Sequence, residues 1–148
     1  MTDFSVKMDM LISSLKDKNE ALTLILNITE NQYQLLATDK DANMWELFTN
    51  MNEVKQGHID RVVELDRLFQ GVFDTVSENF EDKAKETIEK TAALQSLINE
   101  ALELDVKIRA GEQKNRAELS RQKRAPKPVV EASKSALLKK YEKNKKPE

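Results

Sequence analysis

Apolar side chains recur at intervals of three or four residues, or multiples of these, through three long stretches of this chain. That spacing places them on one face of an α-helix, because residues three and four apart lie on the same side of the helix. Only 3 Gly and 3 Pro occur in 148 residues, so few helix breakers interrupt these stretches. The prediction is an all-α fold, namely an elongated antiparallel helical hairpin or three-helix bundle.

Polar intervals between the apolar stretches predict the helix boundaries. The first helix is expected at about residues 4–37, with Asp39 as the cap of the second helix. The second helix should continue past Gly57, since a long packed stripe offsets the roughly 1 kcal/mol that a glycine costs within a helix. A kink near Gly57 is the alternative. The third helix is expected from about residue 82 to 122, after a polar interval at 77–82.

Charge is distributed unevenly along the chain. Residues 1–120 hold 14 Lys and Arg against 23 Asp and Glu, whereas residues 121–148 hold 10 against 3. Pro126 and Pro128 prevent a helix from continuing into the basic part. We therefore predict a bundle domain over residues 1–122 and a basic, mostly disordered tail over 123–148, with a possible short helix at 133–141 that forms on binding.

Residue types that carry catalytic or metal chemistry are scarce. The chain has no Cys and a single histidine, His58, so a His pair or a Ser–His–Asp triad within one chain lacks members. The three glycines are isolated on helices, so no phosphate-binding loop is present. His58 is interpreted as an ordinary helix residue. We predict no catalytic residue, cofactor, metal or small-molecule substrate, and hence a binding protein rather than an enzyme.

The N-terminal ten residues predict where the protein works. They contain Asp3 and Asp9 and lack the basic start and apolar run of a signal peptide. No stretch approaches the roughly 18 apolar residues that cross a bilayer. The expectation is a cytoplasmic protein with no stable membrane insertion.

The apolar stripe of the third helix suits either a core or a partner. Core packing is the commoner role, but a hairpin that already covers its own apolar face would leave part of this stripe to a partner helix. The candidate partner-binding residues of the stripe are Leu94, Leu97, Ile98, Ala101, Leu104 and Ile108. In the tail, Leu137, Leu138 and Tyr141 form a second, small apolar group.

Two stretches resemble the FlgN family of flagellar export chaperones. Residues 22–36, LTLILNITENQYQLL, are similar to the Glu-Gln-x-x-Leu-Leu kind of ending of the family's long first helix, through Glu30, Gln32, Leu35 and Leu36. Residues 62–67, VVELDR, resemble the acidic-x-x-Arg element of its second helix. The resemblance covers about residues 8–119, and the related FliT type of chaperone fits the same pattern.

The resemblance implies a function for the stripe and the tail. Chaperones of this family bind C-terminal helices of unexported flagellar subunits, notably hook-filament junction proteins, in the cytoplasm. They present these clients to the export gate of the flagellar type III secretion apparatus. Client contacts fall toward the C-terminal helix, which here implies the stripe from Leu94 to Ile108. A tyrosine near a mobile end docks on the gate, which here implies Tyr141 with Leu137 and Leu138.

Two other classes of function fit the same sequence. A structural coiled-coil protein would self-associate through its apolar stripes. A nucleic-acid-associated protein would bind phosphates through the basic tail, with an affinity that falls steeply with salt and is lost when residues 121–148 are deleted. Against nucleic acid stand the acidic body and the single aromatic residue of the tail, Tyr141.

Overall fold

The computed structural model describes residues 3–38 and 43–123, and its elements are helical throughout. In chain order they are α1 (Asp3–Thr38), α2 (Met44–Val76), a 3-10 turn (Ser77–Asn79), α3 (Phe80–Ala84), a second 3-10 turn (Lys85–Thr87) and α4 (Ile88–Lys123). The predicted all-α class is confirmed for this part of the chain. α1 and α4 have 36 residues each, which at 1.5 Å per residue gives rods of about 54 Å.

The three long helices form a bundle in which α1 packs along both α2 and α4. α1 runs antiparallel to α2 and parallel to α4. The contacts that fix these directions are Lys18–Asp66 and Gln32–Asn52 between α1 and α2, and Ser5–Lys90 and Leu36–Gln122 between α1 and α4.

Core positions in all three helices follow a seven-residue repeat, as in left-handed coiled coils. We call the first core position of each repeat position a. Position d lies three residues after a, and position e lies four residues after a. The a residues are Met8, Leu15, Leu22, Thr29 and Leu36 on α1, Phe48, Lys55, Val62, Phe69 and Val76 on α2, and Leu94, Ala101, Ile108, Asn115 and Gln122 on α4.

Apolar side chains cluster in three layers along the bundle. Because apolar burial stabilises at roughly 25 cal/mol per Å², these layers hold the helices together. The buried members are Phe4, Met8, Leu11, Leu15, Val76 and Leu94 in the first layer, Leu22, Ile25 and Ala101 in the middle, and Leu36, Met44, Trp45, Phe48 and Leu119 in the last.

The bounds of α1, Asp3–Thr38, agree with the expected span 4–37. α2 is continuous past Gly57, so the preferred single helix is confirmed and the alternative of a break there is wrong. Asp39, the expected cap, lies outside the described residues. α2 begins at Met44, and the carbonyl oxygen of Asn43 accepts a hydrogen bond from the Leu47 amide at 3.1 Å.

The connection between α2 and α4 differs from the prediction. A polar interval was expected at 77–82, with the third helix starting near 82, but short helical segments fill residues 77–87 and α4 begins at Ile88. The reason is Phe80, whose ring centroid lies 5.9 Å from that of Phe4 and 5.8 Å from that of Phe73. Packing this aromatic ring against the first core layer holds the interval in a helical conformation.

None of the helices in the described ranges is both long and apolar enough to cross a membrane.

Candidate helix-binding groove

An incompletely covered face runs between α2 and α4, at their a and e positions. Near the last core layer this face is closed, because Trp45 and Leu119, both at e positions, are each 5% exposed. Further along, the same positions are only half-buried. We call this part the α2–α4 groove, and its lining residues are Ile59, Val62, Phe69 and Phe73 on α2 with Ile98, Asp105 and Ile108 on α4.

Exposed apolar side chains extend the groove outward. Val63 lies four residues after Ile59, and Leu102 and Val106 follow Ile98 at steps of four. Such steps place each residue next to the previous one on the helix surface. Leu102 is 61% exposed and Val106 is 67% exposed. Each step of four residues turns the side chain about 40° further around α4, so Leu102 lies at the outer edge of the groove and Val106 on the solvent side of the helix.

An ion pair interrupts the apolar lining. Lys18 occupies a d position of α1, and its ammonium group lies 2.7 Å from a carboxylate oxygen of Asp66, at an e position of α2. The aliphatic stem of a lysine packs well against apolar neighbours while its charge reaches solvent. The Lys18 side chain thus crosses the core from α1 and meets Asp66 at the groove.

Of the six predicted residues of the stripe, four lie at a or e positions, namely Leu94, Ile98, Ala101 and Ile108, whereas Leu97 and Leu104 lie at d positions, outside the groove. Leu94 is 4% exposed and Ala101 is 8% exposed, so both are core residues. The other four, Leu97, Ile98, Leu104 and Ile108, are half-buried and pack against the first and middle core layers. The tail residues Leu137, Leu138 and Tyr141 lie outside the described residues.

The exposed apolar residues Leu102 and Val106 of α4 were missing from the predicted set. Both fall off the core stripe, since Leu102 directly follows the buried Ala101. The sequence does contain a signal for them, because both are apolar residues on the solvent side of an otherwise charged helix. They lie four residues apart and follow Ile98 at the same spacing.

A buried polar cluster lies beside the closed end of the groove, and sequence reasoning missed it as well. Lys55 is 3% exposed, and its Nζ donates to Oε1 of Gln32 at 2.5 Å and to Oε1 of Glu112 at 2.9 Å. Each long helix supplies one of the three residues. Burial lowers the pKa of Lys55 to about 8. The arrangement satisfies a buried charge, as a structural polar layer in a coiled coil does.

Next to this polar layer, α1 and α4 approach each other closely. Nδ2 of Asn115 donates to the carbonyl oxygen of Thr29 at 3.1 Å. A Cβ added at Gly111 would lie 2.9 Å from Cγ2 of Thr29, closer than side chains normally pack. Gly111 therefore allows the two helices to approach here.

Two shallow surface cavities flank Glu20 and Leu24 of α1. One, of about 390 Å³, is bordered by Leu97 and Glu100 of α4, and the other, of about 400 Å³, by His58 and Arg61 of α2. Among the described residues no three His, Asp or Glu side chains are grouped so that they could hold a metal ion.

Comparison with protein-family models, with curated proteins and with solved structures finds no match to this chain.

Proposed function

We propose that the α2–α4 groove binds an amphipathic helix of another protein, and that the chain is a flagellar export chaperone of the FlgN or FliT type. The client would be the C-terminal helix of a hook-filament junction protein or a related axial subunit. The observation that supports this most is the pair of apolar residues Ile98 and Leu102 at the edge of a half-covered core.

A helix is the partner that fits this surface best. The a and e positions of two neighbouring helices form the kind of seam into which a further helix inserts its side chains. The lining extends along about four turns of α2, from Ile59 to Phe73, and is apolar except at Asp66. A client segment that is disordered when free would fold as it binds, and this ordering cost keeps the complex reversible.

Release at the export gate is the second part of the proposal. The protein would act in the cytoplasm without catalysing a reaction, holding the client until the gate takes it over. Tyr141, with Leu137 and Leu138, is the proposed contact with the gate, and it lies in the chain beyond α4. The groove and the tail would then bind two different partners.

The experiment that tests the client site compares two substitutions that each replace an exposed leucine with aspartate. Leu102→Asp should weaken binding of a junction-protein C-terminal segment by about tenfold or more, because one leucine buried on binding contributes roughly 1.5–3 kcal/mol. Leu68→Asp is the matched control. Leu68 is 55% exposed and lies seven residues after Arg61, which pairs with Asp17 of α1 away from the groove.

Calorimetric titration of the full chain supplies both affinities. Leu68→Asp should bind like the unchanged protein. Equal losses in the two variants, or no binding by the unchanged chain, would contradict the proposed client. Self-association through the groove, the coiled-coil alternative, would appear instead as a concentration-dependent mass that Leu102→Asp abolishes.

A further inference from the structure

We infer that the α2–α4 groove selects helices that carry a basic side chain in the middle of their apolar seam. This inference rests on the proposed helix-binding function and names the chemistry of the partner. It comes from the Lys18–Asp66 ion pair, which lies within the apolar lining between Val62 and Phe69.

Lys18 is the one charged residue at the a and d positions of α1. The a and d positions from residue 4 to residue 25 are otherwise apolar: Phe4, Met8, Leu11, Leu15, Leu22 and Ile25. A leucine at position 18 would continue the core without a charge. The lysine instead carries an ammonium group to the floor of the groove, where Asp66 compensates it.

Asp66 presents a carboxylate to a partner in the groove. The Asp66 side chain is 53% exposed, whereas that of Lys18 is only 24% exposed, so the carboxylate is the accessible member of the pair. Asp105, at an e position of α4, is 46% exposed on the opposite wall, and there the more exposed member of its 2.9 Å ion pair is Arg109, at 79%.

The two carboxylates are offset by more than one helical turn along the bundle. Asn19, next to Lys18, donates to the carbonyl oxygen of Leu97 and to Glu100. Asp105 lies five residues beyond Glu100, which is about 7.5 Å along the helix. One arginine or lysine of a partner helix, with its long side chain, therefore reaches this part of the groove from the middle of the seam.

A purely apolar helix would be penalised at this point. Its leucine would remove water from the carboxylate of Asp66 without offering a hydrogen bond, which is costly. A guanidinium or ammonium group would replace that water with a charge-assisted hydrogen bond. The ion pair thus acts against non-cognate apolar helices, including other copies of this chain, as polar seam residues do in coiled coils.

Two synthetic peptides of about 21 residues, or three heptads, provide the test. Both carry leucine at every seam position except the central one, which is arginine in one peptide and leucine in the other. The full chain should bind the arginine peptide about tenfold more tightly than the leucine peptide, a usual size for discrimination by one buried polar contact. The double variant Lys18→Leu with Asp66→Leu should prefer the leucine peptide.

The chain offers a matched control pair. Lys90 and Asp9 form an ion pair of 2.9 Å between α4 and α1, with side chains 31% and 52% exposed, outside the groove. Lys90→Leu with Asp9→Leu should keep the preference for arginine. Asp66→Asn, which preserves the side-chain shape, should lose most of it, and circular dichroism confirms that each variant folds.

Three results would overturn the inference: equal binding of both peptides, binding of neither, or a preference for arginine that survives in the Lys18→Leu, Asp66→Leu variant. Failure of the proposed function has a different signature. In that case the arginine peptide binds in the groove, but a junction-protein segment does not.

Discussion

Lys55 of α2 and Glu112 of α4 form an ion pair inside the bundle, with 2.9 Å between Nζ and Oε1. Their side chains are 3% and 12% exposed, and Gln32 of α1 accepts a second hydrogen bond from the ammonium group. A polar contact that needs one residue from each helix is satisfied in only one alignment of the three helices. The pair therefore fixes the register in which the groove positions of α2 and α4 face each other.

Removing one member of this pair should cost far more than removing both. Lys55→Met leaves the Glu112 carboxylate in the interior without the ammonium group, and we expect a loss of about 3 kcal/mol in the free energy of unfolding. Lys55→Met combined with Glu112→Leu should recover most of that loss, since apolar side chains fill the site. Urea unfolding followed by circular dichroism measures both. A single variant as stable as the unchanged protein would refute this role.

The stability contribution of Lys55 should depend on pH. Its pKa falls from 10.5 to about 8 because burial disfavours the charged form. Below pH 8 both folded and unfolded chains hold the proton, and the cost of burying the charge is fully present. Between about 8 and 10.5 the unfolded chain binds the proton more tightly, so stability rises with pH by up to about 3 kcal/mol.

Comparison with Lys55→Met isolates this effect, because other titrating groups are common to both proteins. The unfolding free energy of the unchanged protein, minus that of the variant, should be larger at pH 10 than at pH 7. A difference that stays flat or falls would show that Lys55 does not titrate in this window.

Two glycines within helices should respond oppositely to alanine. Around Gly71 no described atom lies within 4 Å of an added Cβ, so Gly71→Ala should stabilise by about 1 kcal/mol through helix propensity. At Gly111 the added Cβ meets the buried Thr29 at 2.9 Å, and overpacking should outweigh that gain, with a net loss of about 1 kcal/mol.

Thr29→Ser tests the cause of the difference. Serine lacks the Cγ2 methyl group but keeps the hydroxyl that donates to the Ile25 carbonyl oxygen at 2.8 Å. In the Thr29→Ser background, Gly111→Ala should therefore become neutral or stabilising in thermal unfolding. If Gly111→Ala still lowers the unfolding temperature in the Thr29→Ser background, contact with the Cγ2 methyl group is not the cause.

Tyr141→Ala should separate the two proposed partners. Client affinity should be unchanged, because the groove residues lie between Ile59 and Ile108, whereas binding to the cytoplasmic domain of the export gate should weaken severalfold, as loss of an aromatic anchor does. Surface plasmon resonance with each partner gives both values. Unchanged gate affinity would remove Tyr141 from the proposal.

The helices themselves were predictable because their periodicity is local. The expected span 4–37 for the first helix compares with Asp3–Thr38, and a continuous second helix follows from its long apolar stripe. Phe80 shows the limit of this reasoning. Its place in a polar interval suggested a connection, but its partners Phe4 and Phe73 belong to other helices and become neighbours only in the fold.

The polar interior was not predictable in the same way. Lys55 occupies a core position seven residues after Phe48, but a charged side chain is normally solvated, and the partner that compensates it is 57 residues away. The groove was not predictable for the same reason, since it depends on contacts between distant residues. Periodicity identifies Ile98 as a stripe residue, but only the packing of α1 against both neighbours leaves it half-covered and makes Leu102 its outer extension.

The central claim, that the α2–α4 groove binds an amphipathic helix, is tested most directly by amide NMR of the full chain titrated with a junction-protein C-terminal segment. Shift changes should cluster at residues 59–73 of α2 and 98–108 of α4, with little change along the outer face of α1 around Glu20 and Leu24. Changes centred on α1, or none at saturating concentrations, would contradict it.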